Sequence, residues 1–160
     1  MTMDVVKPAD DPQIGNLATP INSSGFTKAL INNLPAYRAG LSAQRRGLEI
    51  GMAHGYLLYG PFTFTGPYRN SGVATIAGLV GAVSLVVILT ICLSIYASSK
   101  PNKPISTVTT PKTPAELETS EGWSEFASSF LIGGVGGATV AFLLYTVIYS
   151  NALDAFGNLV

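Results

Sequence analysis

Glu49 and His54 offer the most chemistry of any residues in this chain. Beyond the first turn of the segment 43–59 they are its only side chains that carry or exchange charge near neutral pH. An imidazole is a good neutral axial donor to a magnesium or iron macrocycle, and a carboxylate is a hard oxygen donor that suits magnesium better than iron. At about 100° per residue, positions 49 and 54 lie about 140° apart around a helix. They cannot share one metal ion as an i, i+4 pair could, so if both are ligands they serve two centres. Ionisable groups inside a lipid-embedded segment are costly, which makes them functional candidates. The alternatives are local: Glu49 pairing with Arg45 one turn earlier, and His54 hydrogen-bonding a neighbouring helix. A proton relay through both residues is a further reading, and their angular separation counts against it.

Glycines at 47, 51 and 55 repeat every four residues and form a smooth stripe along the same helix. His54 borders that stripe and Glu49 points away from it. A stripe without side chains lets a flat macrocycle or another helix approach the backbone. Small residues repeat in the same way at Ala74, Gly78 and Ala82, and at Gly133, Gly137 and Ala141. Both patterns suit tight helix crossing, within this chain or between subunits.

The elements that must position these residues are set by lipid. Val73 to Tyr96 is a 24-residue run without a charged side chain, and Phe126 to Ala152 is a second uncharged run of similar length. At about 1.5 Å per residue either run crosses the roughly 30 Å of bilayer hydrocarbon. A third, weaker span is Ala43 to Tyr59, with Ser42 as its N-cap, Arg45 and Arg46 in its first turn, and its end at Gly60-Pro61. Basic residues collect on the side from which loops are not translocated. Three spans place Lys7, Lys28, Arg38, Arg45, Arg46, Lys100, Lys103 and Lys112 on one side and Arg69 alone on the other. Two spans would divide them six to three. The fold class expected is therefore all-α, an integral membrane protein with three transmembrane helices and a short interfacial helix in the second loop. One membrane domain covers 1–160, as a leading segment 1–41, helix 43–60, helix 72–96, loop 97–125, helix 126–151 and tail 152–160.

The connector 97–125 is too polar for lipid. Thr113-Pro114-Ala115-Glu116 has the pattern of a capping box, which predicts that the interfacial helix begins there. Trp123 and Phe126 sit where the third span meets water, as aromatic anchors do. Cys92 is the single cysteine, so no disulfide forms within the chain, and it reads as a small buried hydrophobe. The first sixteen residues have no apolar core and resemble neither a secretory signal nor a transit peptide.

With 160 residues, 11% of them charged and a net charge of zero, little is left for a soluble catalytic domain or a general affinity for nucleic acid. Gly133-Gly134-Val135-Gly136-Gly137 lies inside a span with no lysine following, so it is not a phosphate loop. One histidine and one cysteine make no zinc cluster.

The run Asn33-Leu34-Pro35-Ala36-Tyr37-Arg38, continuing through Gly40-Leu41-Ser42 to Arg46-Gly47-Leu48-Glu49-Ile50-Gly51-Met52-Ala53-His54-Gly55-Tyr56, closely resembles the photosystem I reaction centre subunit XI family. Gly60-Pro61-Phe62, Gly66-Pro67 and Ser120-Glu121-Gly122-Trp123 extend the match, which covers the chain from about Gly15 onward. The missing transit peptide makes it similar to cyanobacterial or plastid-encoded members. The resemblance implies three transmembrane helices in the thylakoid membrane, with a cytoplasmic or stromal N-terminus and a lumenal C-terminus. It implies an accessory, non-enzymatic subunit of a light-driven plastocyanin–ferredoxin oxidoreductase. The partners implied are the photosystem I core proteins, small subunits VIII and XII, and further copies of itself in a trimer or tetramer.

The cofactors implied are chlorophyll, type a, and beta-carotene, with lipid as a further ligand. Glu49 and His54 match the family's ligands to chlorophyll magnesium. Pro35, Ala36, Tyr37, Arg38, Met52, Ala53, Phe62 and Pro67 fall among the pigment contacts that the resemblance suggests. Some cyanobacterial members carry an aspartate after the Gly-Pro-x-Arg turn that helps to hold calcium. Here that residue is Asn70, a weaker oxygen donor, which disfavours a calcium site at Pro67 and Asn70. The glycine-rich third span and the apolar tail are expected at the oligomer axis.

Overall fold

In the computed structural model, which describes residues 5–9 and 11–157, the chain is mostly helical. Two short strands, β1 (Lys7–Pro8) and β2 (Leu17–Ala18), pair antiparallel with Lys7 opposite Ala18. Helices follow at α1 (Gly25–Asn33), α2 (Ala43–Phe64), α3 (Ala74–Ser98) and α4 (Ser120–Gly157), with 3₁₀ turns at Pro12–Ile14 and Ala115–Glu118.

Two helices are long and apolar enough to cross a membrane, Ala74–Ser98 and the part of α4 from Ser120 to Tyr149. Both leave most of their apolar surface uncovered. Ile76, Val80, Ile88, Ile91 and Ile95 are exposed on α3, and Ile132, Val140, Leu143, Leu144 and Ile148 on α4. Four of their hydroxyls bond within the helix. Thr90 donates to the Val86 carbonyl, Ser94 to Thr90, Ser98 to Ser94 and Thr139 to Val135, each within 3 Å. Hydroxyls bonded to the carbonyl four residues back suit a helix that has no water beside it.

Several boundaries depart from expectation. Helix α2 does not end at Gly60-Pro61 but runs on to Phe64. Proline there removes one donor, to the carbonyl four residues earlier, and the turn after it is strengthened by hydroxyls. Thr63 Oγ1 donates to Tyr59 at 2.8 Å and Thr65 Oγ1 to Pro61 at 2.6 Å. The residues 113–116 form no capping box. Pro114 occupies the cap position in extended conformation with no side-chain cap bond, and only the four-residue 3₁₀ turn follows. The cap signal that operates lies six residues on, where Thr119 Oγ1 accepts from the Gly122 amide at 3.0 Å. Helix α4 accordingly starts at Ser120 and not at 126. Its backbone is helical through Gly157, while the rest of the tail 152–160 lies outside the described residues.

Helix α1 inside the leading segment was not expected. Ser24 caps it, accepting from the Thr27 amide at 3.1 Å, and Leu34 ends it in extended conformation ahead of Pro35. Ser42 caps α2 as its sequence suggests, accepting from the Arg45 amide.

The bundle core is small and aromatic. Val86, Leu117, Phe126 and Phe130 form it, with Ile50, Leu89 and Trp123 packed against it. Close backbone approach carries the rest. A Cβ placed at Gly47, Gly51 or Gly55 would stand 2.2, 2.3 or 1.8 Å from the carbonyl oxygens of Phe126, Phe130 and Gly134. From the other side, Cβ atoms at Gly133 and Gly137 would meet the carbonyls of Leu48 and Met52 at 2.2 and 2.1 Å. The two stripes therefore pack α2 on α4 within one chain, in the small-residue geometry that membrane helices use. Gly78 approaches Thr63 in the same way, and Ala82 beside it is wholly buried.

Candidate functional site

His54 stands on the wall of an apolar groove of about 370 Å³ between α2, α3 and α4. Ile50 lies one turn before it. Leu89, Cys92 and Leu93 face it from α3, and Trp123, Phe126 and Phe130 from α4. The imidazole Nδ1 lies 2.8 Å from the carbonyl oxygen of Ile50. A carbonyl only accepts, so Nδ1 is the donor of this bond, and in the neutral imidazole the lone pair is then on Nε2. The Phe130 ring meets the imidazole edge-on at 5.5 Å and holds its orientation. The ring is thus oriented in an apolar groove, and a neutral imidazole is a nitrogen donor that a magnesium or iron macrocycle accepts.

Glu49 occupies a different environment. Its Oε1 and Oε2 accept from Arg38 Nη2 at 2.6 and 2.5 Å, and Oε1 also accepts from Arg45 Nε at 3.2 Å. Arg45 is the partner expected one turn earlier. Arg38 arrives from the segment before α2, where its amide and that of Tyr37 both bond the Leu34 carbonyl. The carboxylate thus has its charge offset twice and retains lone pairs for one further acceptor contact.

Arg46 plays no part at Glu49. It is only 2% exposed, donates from Nη1 to the Pro35 carbonyl at 2.8 Å, and stands 3.6 Å from Glu116. This buried guanidinium ties the approach segment to the connector. Sequence reading missed it because adjacent arginines in a first turn look alike until the helix has a neighbour.

The remaining sequence-selected residues divide among separate places. Ala36 is half-buried in the turn beside Pro35, and Tyr37 lines a small cavity with Gly40, Arg46 and Lys112. Met52 and Ala53 border a second apolar groove with Tyr56, Leu57, Gly137 and Val140. Phe62 and Pro67 border a third, of about 450 Å³, with Tyr68, Ile76 and Val80. Asn70 is exposed in the turn that follows α2. Cys92, expected to be buried, is exposed on the groove wall. Trp123, read as an interface anchor, is tied down on both sides. Its Nε1 donates to the Leu117 carbonyl at 2.9 Å and its ring meets Tyr96 edge-on at 4.9 Å. The stripe Trp123, Phe126, Phe130 at helical spacing was the available signal for this wall.

Two helices long and apolar enough to cross a membrane, close glycine-mediated packing and an imidazole in an apolar groove are the marks of a small helical membrane protein. The family model of photosystem I reaction centre subunit XI matches residues 4–150. The photosystem I reaction center subunit XI of Synechococcus elongatus is 60% identical over 155 residues, which covers 96% of this chain and 93% of that protein. That of Crocosphaera subtropica is 59% identical, with 95% and 97% covered, and that of Mastigocladus laminosus 58% identical, with 88% and 82% covered. The chain belongs to the photosystem I reaction centre subunit XI family.

Proposed function

We propose that this chain is an accessory subunit of photosystem I in the thylakoid membrane, which holds antenna chlorophyll and carotenoid and joins copies of the complex. The observation that carries this reading is His54, whose Nδ1 is committed to the Ile50 carbonyl and whose side chain lines the apolar groove. Helix α2 has 22 residues, about 33 Å at the usual rise, which suffices for a third span. Three spans place the N-terminus on the cytoplasmic or stromal side and the C-terminus in the lumen. The partners in this reading are the core proteins of the complex, its small subunits VIII and XII, and other copies of this chain.

Chlorophyll, when bound, supplies absorption of red light and transfer of the excitation. The chain supplies position. Imidazole Nε2 would hold one chlorophyll through its magnesium, and Phe130 and the Ile50 carbonyl hold the ring in register. Glu49 would offer a carboxylate oxygen to a second magnesium, with Arg38 and Arg45 holding it in place and offsetting its charge. The grooves beside Met52 and Phe62 suit carotenoid or lipid chains, since both are lined by aliphatic and aromatic side chains. A proton relay fits poorly. Among the described residues no hydrogen bond joins Glu49 to His54, and the His54 groove offers no polar path.

His54→Leu should leave the subunit in the complex and remove one chlorophyll, read by pigment extraction and by the loss of one band in the low-temperature absorption difference spectrum. An unchanged pigment count and spectrum would reject His54 as a ligand. For assembly, of the α4 glycines that were expected at the oligomer axis, Gly133 and Gly137 are taken up by α2 and Gly134 by Val86 of α3, while a Cβ at Gly136 meets nothing within 4 Å. The surface left for a contact between copies is the aliphatic flank of α4. Deletion of the subunit should leave active monomers on native gels, and persistence of large oligomers would remove the assembly role.

A further inference from the structure

The wall of the His54 groove is attached to the polar connector through Trp123 and through Leu117, which shares the core with Phe126 and Phe130. The Trp123 indole lines the groove. The ring N–H is engaged by the Leu117 carbonyl, its flank rests against Tyr96 at the end of α3, and its other side tilts over Phe126 at 5.4 Å. With the N–H taken, the indole offers only carbon surface to whatever lies in the groove. Leu117 is itself buried and sits in the 3₁₀ turn Ala115–Glu118. Two ion pairs outside the groove hold that turn: Arg46 to Glu116 at 3.6 Å and Lys103 to Glu118 at 2.9 Å. A Cβ at Gly122 would stand 1.6 Å from the Glu116 carbonyl, so the turn lies directly on the first turn of α4. The path from the approach segment through Arg46, the turn and the indole to the groove is continuous.

We propose that Trp123 is a positioning residue for the tetrapyrrole held by His54, with its indole set by the connector turn, so that the pigment's energy registers the seating of the connector. This rests on the reading of His54 as an axial ligand. The neighbouring ring limits how a macrocycle on Nε2 tilts towards α3 and α4, and polarisable aromatic contact shifts an optical transition without changing the ligand.

The test uses the purified photosystem complex carrying Trp123→Phe, which keeps a ring in place but cannot donate to Leu117. Its pigment count should equal that of the unaltered complex, and the one band that His54→Leu removes should be displaced. Glu116→Gln, which lies outside the groove and breaks the ion pair with Arg46, should displace the same band in the same direction and by less. A flat difference spectrum for Trp123→Phe in a complex that retains the subunit overturns the proposal. If Trp123→Phe prevents incorporation of the subunit, Glu116→Gln decides: displacement of the His54 band supports the coupling and a flat spectrum overturns it. Failure of the underlying reading is distinguishable, because His54→Leu would then remove no band at all.

Discussion

Gly55→Ala should strip this subunit from its membrane assembly, although it adds a single methyl group. The new Cβ would stand 1.8 Å from the Gly134 carbonyl oxygen and 2.9 Å from the Ala138 amide nitrogen. Both are backbone atoms and neither can turn aside as a side chain would. Relief requires α2 and α4 to separate by about an ångström or more, which opens the contacts at Gly51 and Gly47 above it. Overpacking of a filled core costs roughly 1–3 kcal/mol, and loss of the crossing adds to that, since dispersion between closely packed backbones is what holds membrane helices together. The measurement is the amount of subunit retained in purified complexes, together with its resistance to detergent extraction. Gly60→Ala is the control within the same helix. A Cβ there meets nothing within 4 Å, and alanine is the better helix former by about 1 kcal/mol. Retention of Gly55→Ala at the unaltered level would mean that α2 and α4 do not approach as described.

Arg46→Ala should loosen the connector without touching any proposed pigment ligand. The guanidinium is almost wholly buried, and its removal leaves the Pro35 carbonyl without its donor and Glu116 without its cation. It also leaves a void where the largest fully buried side chain of the chain had been. Breaking a buried charge pair by removing one partner costs about 3 kcal/mol or somewhat more, and the half-exposed Glu116 places this case at the lower end. The readout is limited proteolysis of the connector in the intact complex, which should accelerate markedly. Arg46→Lys should recover little of the loss, because an ammonium cannot span two partners as the planar fork does. Arg45→Ala sets the scale from the other side. Arg45 is 69% exposed and leaves Glu49 still paired to Arg38, so its loss should cost under about 1 kcal/mol. Equal proteolysis of Arg46→Ala and the unaltered complex would show that this guanidinium does not anchor the connector.

Much of the site could be read from residue order. The 140° between Glu49 and His54 is a property of any helix, so their separation into two environments followed as soon as 43–59 was taken as helical. The same arithmetic set Gly47, Gly51 and Gly55 on one face. What that face meets could not be read, because a smooth stripe admits a macrocycle and a helix equally well. The structure gives it to α4, through the matching stripe at Gly133 and Gly137. The connector was misread for a related reason. Thr113 and Thr119 both stand three residues before a plausible partner, and only the close packing of Gly122 on the Glu116 carbonyl selects the second.

Local rules act over a turn or a span: charge-free runs, N-cap serines, helical spacing and the presence of an imidazole and a carboxylate in apolar surroundings. Residue order determined those by itself, because each depends on neighbours fewer than about twenty-five positions away. The tertiary structure alone decided which arginine is buried and that Trp123 joins the connector to the groove. Each of these depends on an atom supplied by a distant segment, such as the Glu116 carboxylate for Arg46 or the Tyr96 ring for Trp123. A side chain's partner is set by which backbones can approach one another, and that is settled only when the helices have packed.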